Sequence, residues 1–471
     1  MPKVIVVGAG ISGLTLAYRL RQASPAIDVT VLEQASRPGG KIWTERSGGF
    51  QVEAGANGFL DNKPSTISLC RELGLESRLL PASDVAGRNR FVAVEDRLHL
   101  LPRSFYEFLR SDLLGWRGKL RLLAEPLRPR RRSPGDESIR DFVRRRAGKE
   151  AADVLADAMV TGIYAGDPAI LSLSAAFPRL SEFERQHGSV LKGFIRSGRE
   201  RPRAANAEQS APPGNQLWSF REGLRALIEG LAESIGDRLL LGVDVSRVAL
   251  ERSAHGPVAW KVRAGSGEAW TADAVVLTCP AYEQAALLAD LDPALAELIA
   301  GIPYNGVAVV ALGYEKQAVK APLDGFGFIV PQRSRRDVLG VQWCSSIFPD
   351  RAPAGCVLLR AMCGGWHRAE MVGWSDDRIL GAVRQELDRL MGITAPPCFH
   401  TIIRWDRAIP QYQLGHLERI GRIEERAGRW PGLFPAGNAY HGVAINDCTQ
   451  QSAVLARKVQ QYLLGRDSGI L

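Results

Sequence analysis

The chain has 471 residues, 45% of them apolar and 24% charged, with a net charge of +9. That is an ordinary globular balance over a length suited to about three domains or a few large lobes, so wholesale disorder is excluded. Ten lysines against fifty arginines make the basic side guanidinium-rich, which suits nucleic acid, an anionic membrane face or a polyanionic small molecule.

In chain order, Val4-Ile5-Val6-Val7 predicts a strand, Gly8-Ala9-Gly10-Ile11-Ser12-Gly13 a turn, Leu14–Leu20 a helix and Val29–Leu32 a second strand ending at Glu33. Glycine pairs 39–40 and 48–49 mark loops. The stretch 98–132 is rich in Leu, Phe and Arg. Residues 138–160 predict a helix interrupted near Gly148, and 199–216 has the composition of a linker. Helices follow at 222–235 and 376–391. Strands are expected at 239–250, 258–263, 274–278, 305–314, 326–330, 338–344 and 356–361. The block Leu433–Leu464 is again strand, glycine turn and helix. Because the first and last blocks share this plan, they predict one discontinuous domain built from both chain ends.

Seven cysteines (70, 279, 344, 356, 363, 398, 448) lack framework spacing and read as reduced, intracellular thiols. The N-terminus has no signal-peptide pattern, and the longest uncharged stretch, Leu298–Tyr314, carries Pro303, Asn305 and three glycines. No membrane-spanning helix is expected. Seven histidines show neither HxxxH nor HxH, so no metal site is expected.

Gly8-x-Gly10-x-x-Gly13 between strand and helix, with an acid twenty residues after Gly13, is the context a dinucleotide fingerprint requires. Gly8 serves the tight turn, Gly10 the approach of a diphosphate and Gly13 helix–strand packing. Glu33 is placed to accept ribose hydroxyls. The fingerprint itself does not separate NAD from FAD.

The following residues do. Arg37-Pro38-Gly39-Gly40-Lys41, Glu53-x-Gly55 and the distal Gly437-Asn438 with Gly442-Val443-Ala444-Ile445-Asn446-Asp447 resemble the flavin-dependent amine-oxidase superfamily. Within it, Glu53–Asn57, Thr161–Asp167-Pro168, Ser345–Pro353 and Ile409-Pro410-Gln411-Tyr412 resemble the oxygen-dependent protoporphyrinogen/coproporphyrinogen oxidase family. The likeness spans nearly the whole chain. It implies an α/β (α+β overall) fold with three parts. These are a Rossmann-like FAD-binding domain (1–60, 215–280, 405–471), a mixed-sheet substrate domain (61–97, 281–404) and a helical membrane-docking insertion (98–214).

The same resemblance implies FAD held by Gly8, Gly10, Ile11, Ser12, Gly13, Glu33, Gln34, Gly40, Lys41, Gly55, Ala56, Asn57, Val245, Gly437, Asn438, Val443, Ile445 and Asn446. It implies Asn57 facing flavin and substrate, Arg90 anchoring a propionate (Arg88 is the rival) and Gly166 bringing a backbone carbonyl near the ring. Ile329, Gln342 and Met362 take positions that sandwich the ring. Gln342 and Met362 depart from the leucine and phenylalanine of the plant members, and ordinary sheet packing is the competing reading for all three. The implied reaction is a six-electron oxidation of a porphyrinogen in three hydride transfers to flavin, with O2 as acceptor and H2O2 as product, within haem biosynthesis. Protoporphyrinogen IX is the first substrate and coproporphyrinogen III the alternative. More distant alternatives are an amine oxidase, a carotenoid desaturase or a non-catalytic flavin-binding protein.

Residues 103–132 carry nine basic and three acidic residues, so they hold +6 of the net charge. Phe105, Phe108, Leu109, Leu113, Trp116, Leu120 and Leu123 fall on one helical stripe; Asp112 and Lys119 intrude on it, and Gly115 and Gly118 divide the segment into two short helices. It reads as an anionic-membrane surface, with a helix packed on the domain core as the competing reading. The expected location is therefore cytoplasmic and peripheral on the membrane. A homodimer is an open assembly, and nucleic acid is not an expected partner.

Overall fold

The computed structural model describes residues 1–131, 135–199, 216–251 and 259–467. A five-stranded, fully parallel sheet is drawn from distant parts of the chain, in the order Leu239–Leu241, Asp28–Glu33, Lys3–Val7, Ala274–Leu277 and Leu433–Pro435. Parallel strands covered on both faces need unbroken apolar runs. Lys3–Val7 supplies one, with Val4 to Val7 all buried. Helices Ile11–Ala23, Arg225–Ile235 and Ile445–Asp467 cover one face through Leu14, Leu16, Leu227, Leu231, Val459 and their neighbours. Helices Ala281–Leu288, Pro293–Ala300 and His416–Ala427, with the antiparallel strands between 245 and 272, cover the other. The first and last blocks thus share one core.

The seven-stranded mixed sheet runs Phe399–Trp405, Gly306–Glu315, Cys356–Gly365, Val338–Trp343, Gly327–Ile329, Phe91–Val94, Arg97–Leu100. Its two faces differ. Phe328, Val341, Trp343, Ala361 and Cys363 pack under helix Asp376–Met391 through Ile379, Val383 and Leu387. Period-2 alternation puts Ile329, Gly340, Gln342, Arg360 and Met362 on the opposite face, toward the parallel-sheet domain.

Three expected elements shift for local reasons. The helix expected from 222 starts at Arg225, because Gly223 sits at φ +87 and Leu224 donates its N–H to Glu53 Oε1 at 2.8 Å. The strand expected over 239–250 divides at Gly242, which sits at φ +74. In the block 61–97, helix Pro64–Glu72 and strand Leu79–Pro81 pack with the parallel-sheet domain. Leu69, Cys70 and Leu75 join its core, and Leu79–Pro81 pairs with Leu217–Phe220. The expected linker 199–216 lies, apart from its end residues, outside the described residues.

In the helical insertion, Arg146 is buried between Glu125 and Glu184, and Arg145 bridges Glu137 and Glu184. Glu125 also accepts Ser189 Oγ at 2.5 Å and Val190 N at 3.0 Å, so one acid ties the basic stretch to the start of helix Val190–Arg199. The expected division of 105–123 into two short helices is present, but its apolar residues do not share one exposed stripe. Helices Phe105–Arg110 and Trp116–Leu123 are separate, and the break between them changes their phase. Leu113 is buried with Leu114 against Val92, Val154 and Ala158, and Phe108 packs on the same cluster. Phe105, Tyr106, Leu109, Trp116, Leu120 and Leu127 are exposed. No described helix is long and apolar enough to cross a membrane.

Candidate active site

The site begins at the glycine turn. Gly8 has φ +105 and donates to Leu32 O at 2.8 Å. A Cβ on Gly13 would overlap Gly8 O and stand 2.6 Å from Thr278 Oγ1. A Cβ on Gly10, in contrast, would meet nothing within 4 Å. The turn after strand Ala274–Leu277 bolts this loop down: Thr278 Oγ1 donates to Gly8 O at 2.8 Å. Gly437 backs onto Thr278 O. Gly39 donates to Ala9 O at 2.8 Å, which lays the 39–40 glycine pair against the first turn.

Glu33 lies over the turn, accepting from Ala9 N at 2.6 Å and Ala35 N at 3.0 Å. Gln34 beside it is exposed. Val245, half-buried, follows Val243, whose N–H donates to Glu33 O at 2.9 Å. Ser12 O accepts Ser452 Oγ at 2.9 Å, joining the starts of the first and last helices, and Ile11 and Ile445 are buried in their shared core. At the last turn, Tyr412 Oη donates to Asn438 O at 2.5 Å and accepts Gly442 N at 2.8 Å. Val443 is half-buried. Asn446 spends its side-chain N–H2 on Leu60 O and Asn62 Oδ1, leaving only main-chain N–H groups at that helix start for a ligand.

Several buried polar atoms at the site lack a protein partner among the described residues, Asn57 Nδ2, Gln411 Oε1 and Asn446 Oδ1 among them. Lys41 forms no ion pair with a described residue; its Nζ stands 5.5 Å from the Tyr304 ring, and burial pulls its ammonium down to about 8. Asn57 is buried, and its Nδ2 is unsatisfied. Open space at the Gly10 Cβ position, a half-buried lysine and a carboxylate lying over the glycine turn are a set of groups that fits FAD. Since the folded pKa of Lys41 lies below its ordinary 10.5, the unfolded chain binds more protons between pH 8 and 10.5, and flavin-free protein gains stability as pH rises through that window. Lys41→Met is expected to stabilise the flavin-free protein at pH 7 by on the order of 2 kcal/mol and to remove this rise, while weakening FAD retention. Urea unfolding at pH 7 and 10 checks it.

The segment 54–57 is stitched to the cleft face of the mixed sheet. Trp405 Nε1 donates to Ala54 O at 2.7 Å, and Arg360 donates to Gly55 O. Ala56 between them and Asn57 is exposed. Glu53 beneath is buried with Arg351 at 3.9 Å, and burial raises its carboxyl to about 7. Ile329, Gln342 and Met362 are each half-buried on the same face around Gly340. The Ile329 side chain fills the space left by Gly162 of the insertion.

Arg90 precedes strand Phe91–Val94 at the rim of this face. It is exposed, lies 5.1 Å over the Phe326 ring and has no ion-pair partner among the described residues. Arg88 is turned back on its own helix, donating to Asp84 O at 3.1 Å.

Gly166 is buried in a turn where Ala165 sits at φ +45. Asn305 Nδ2 donates to Tyr164 O and Ala165 O, both at 2.8 Å, and Gln411 Nε2 donates to Tyr164 O at 2.9 Å. The Ile-Pro-Gln-Tyr segment therefore supports the Tyr-Ala-Gly turn and, through Tyr412, the last glycine turn. Residue-type reading missed Arg360, Thr278, Asn305 and Tyr412 as site supports. The one available signal was a lone arginine inside the apolar run Cys356–Gly365.

The family model for flavin containing amine oxidoreductase matches residues 11–459. The chain is 32% identical to the chloroplastic protoporphyrinogen oxidase of Oryza sativa subsp. japonica, over 98% of this chain and 88% of the relative. It is 29% identical to coproporphyrinogen III oxidase of Bacillus subtilis (strain 168), over 98% of each chain. A crystal structure from Exiguobacterium sp. 255-15, named "Putative protoporphyrinogen oxidase", superposes with TM-score 0.82 at 27% identity, covering 98% of this chain and 99% of that one. The likeness to full-length relatives and the double glycine cradle agree: the chain belongs to the flavin containing amine oxidoreductase family, on its protoporphyrinogen/coproporphyrinogen oxidase branch, and its cofactor is FAD.

Proposed function

We propose that this protein oxidises protoporphyrinogen IX to protoporphyrin IX, with coproporphyrinogen III as the second reading because the Bacillus subtilis relative carries that name at full length. The observation that carries the proposal is the half-buried sheet face of Ile329, Gly340, Gln342 and Met362, joined to the flavin-side segment 54–57 through Arg360 and Trp405. Bound FAD supplies the hydride acceptor and passes the electrons to O2, giving H2O2. The chain's own task is to hold a large, mostly apolar ring in one pose. Ile329 and Met362 offer apolar contact. Arg90 offers a guanidinium fork for a propionate at the rim. Asn57 Nδ2 is the unpaired donor nearest the reacting face in this reading.

An amine oxidase would place an aromatic pair here. Tyr440 instead turns into the core, its hydroxyl donating to Gln284 Oε1 at 2.7 Å, and Trp405 is tied to Ala54 O. In an anaerobic titration, protoporphyrinogen or coproporphyrinogen is expected to bleach the flavin absorbance while a simple amine does not. Bleaching by the amine alone would reject the proposal, and the relative porphyrinogen rates choose between the two tetrapyrroles.

The exposed Phe105, Trp116 and Leu120 beside Arg110, Arg117 and Arg121 support docking of the insertion on an anionic membrane. Changing Phe105, Trp116 and Leu120 to Ser is expected to cut sedimentation with anionic liposomes at least tenfold, without change in Tm. Undiminished sedimentation would remove these helices from the docking surface.

A further inference from the structure

Arg360 is 2% exposed on the cleft face of the mixed sheet. One guanidinium nitrogen donates to Gln342 Oε1 at 2.8 Å, the other terminal nitrogen donates to Gly55 O, and no described carboxylate lies within ion-pair distance. A guanidinium carries donors only. It therefore holds the oxygen end of the Gln342 amide toward itself and turns the –NH2 end away. That –NH2 has no hydrogen-bond partner among the described residues, and Gln342 is half-buried on the face shared with Ile329 and Met362. This accounts for a glutamine at a ring-facing position where an apolar residue was expected.

The register adds a second fact. Gln342 pairs with Gly327, and Phe328 pairs with Phe91, so continuing that register by one residue sets Arg90 beside Gly327. Arg90 and Gln342 then lie on one row across the sheet, two strand spacings or roughly 10 Å apart. Gly327 between them sits at φ +123, and a Cβ there would overlap Val341 O.

We infer that Gln342, its amide locked by Arg360, is a second carboxylate subsite beside Arg90 and takes the carboxyl group on a neighbouring pyrrole of the same macrocycle. The inference rests on the porphyrinogen reading above. A neutral donor backed by a buried cation favours an anionic acceptor without placing a second charge against the apolar ring.

Gln342→Glu tests it with the fold protected, because the new carboxylate still accepts from Arg360 while its outward end offers no N–H. The FAD-loaded variant is expected to show KM raised about tenfold or more for the free-acid porphyrinogen, with kcat within about twofold and a KM rise of less than about threefold for the fully esterified porphyrinogen. Gln342→Leu is expected to show the same split, as is the weaker binding of free-acid over esterified porphyrin product, followed by its absorbance. Equal KM shifts for acid and ester, or no shift for the acid, would overturn the subsite while leaving porphyrinogen oxidation standing. Failure of the unsubstituted enzyme to be bleached by acid or ester would overturn both.

Discussion

Gly13→Ala is expected to yield protein without flavin. The new Cβ would enter the space of Gly8 O and come within 2.6 Å of Thr278 Oγ1. Gly8 has little freedom to retreat, since its N–H is bonded to Leu32 O at 2.8 Å and its carbonyl accepts from Thr278. The helix and the glycine turn must separate, at a cost of about 1–3 kcal/mol for one excess methyl in a tight core. If the turn is also the diphosphate cradle, that movement falls on FAD affinity, with a loss of tenfold for each 1.4 kcal/mol or so. Gly10→Ala is the informative partner. Its Cβ meets no protein atom within 4 Å, so Tm of the flavin-free protein should be unchanged while FAD is lost to steric exclusion. Flavin absorbance per chain after gel filtration, with thermal unfolding beside it, checks both. Stoichiometric FAD in Gly13→Ala would show that the turn is not the cradle.

Arg90→Ala is expected to raise KM for the porphyrinogen by about 10- to 100-fold, with kcat changed less than about threefold. Losing one charge-assisted fork removes about 1.5–3 kcal/mol, and a contact made equally in ground and transition states appears in KM. The side chain is exposed, stacked on Phe326 and without a carboxylate partner among the described residues, so its removal leaves no buried charge behind. Arg88→Ala serves as the control. Its guanidinium is spent on Asp84 O within its own helix, and KM should not move. A KM shift in Arg88→Ala with none in Arg90→Ala would exchange their roles.

Both variants trace how far residue order alone reaches. The dinucleotide turn was legible because its requirements are local. A tight turn, a close approach and a helix start are met within six residues, and Glu33 comes on the adjacent strand. The common core of the two chain ends was legible for a similar reason, since each end repeats the strand–turn–helix plan. The basic stretch was legible in composition and in its division into two short helices, but not in which apolar side chains face outward. Its charge is a sum over residues, whereas the direction of each apolar side chain depends on helix phase, and the break before Trp116 resets that phase. Gln342 could be placed opposite the ring by resemblance, yet its purpose was hidden. Its partner is eighteen residues away on the neighbouring strand, and only register brings Arg360 beside it.

The sequence by itself determined the cofactor class, the shared core of the two chain ends and the branch of the family, because those signals are short-range and chemically specific. Only the tertiary structure decided which groups lack partners among the described residues, Lys41, Asn57, Arg90 and the outward amide of Gln342 among them. Whether a polar atom is satisfied depends on everything within hydrogen-bond reach in three dimensions, and that is set by strand register and packing rather than by order along the chain.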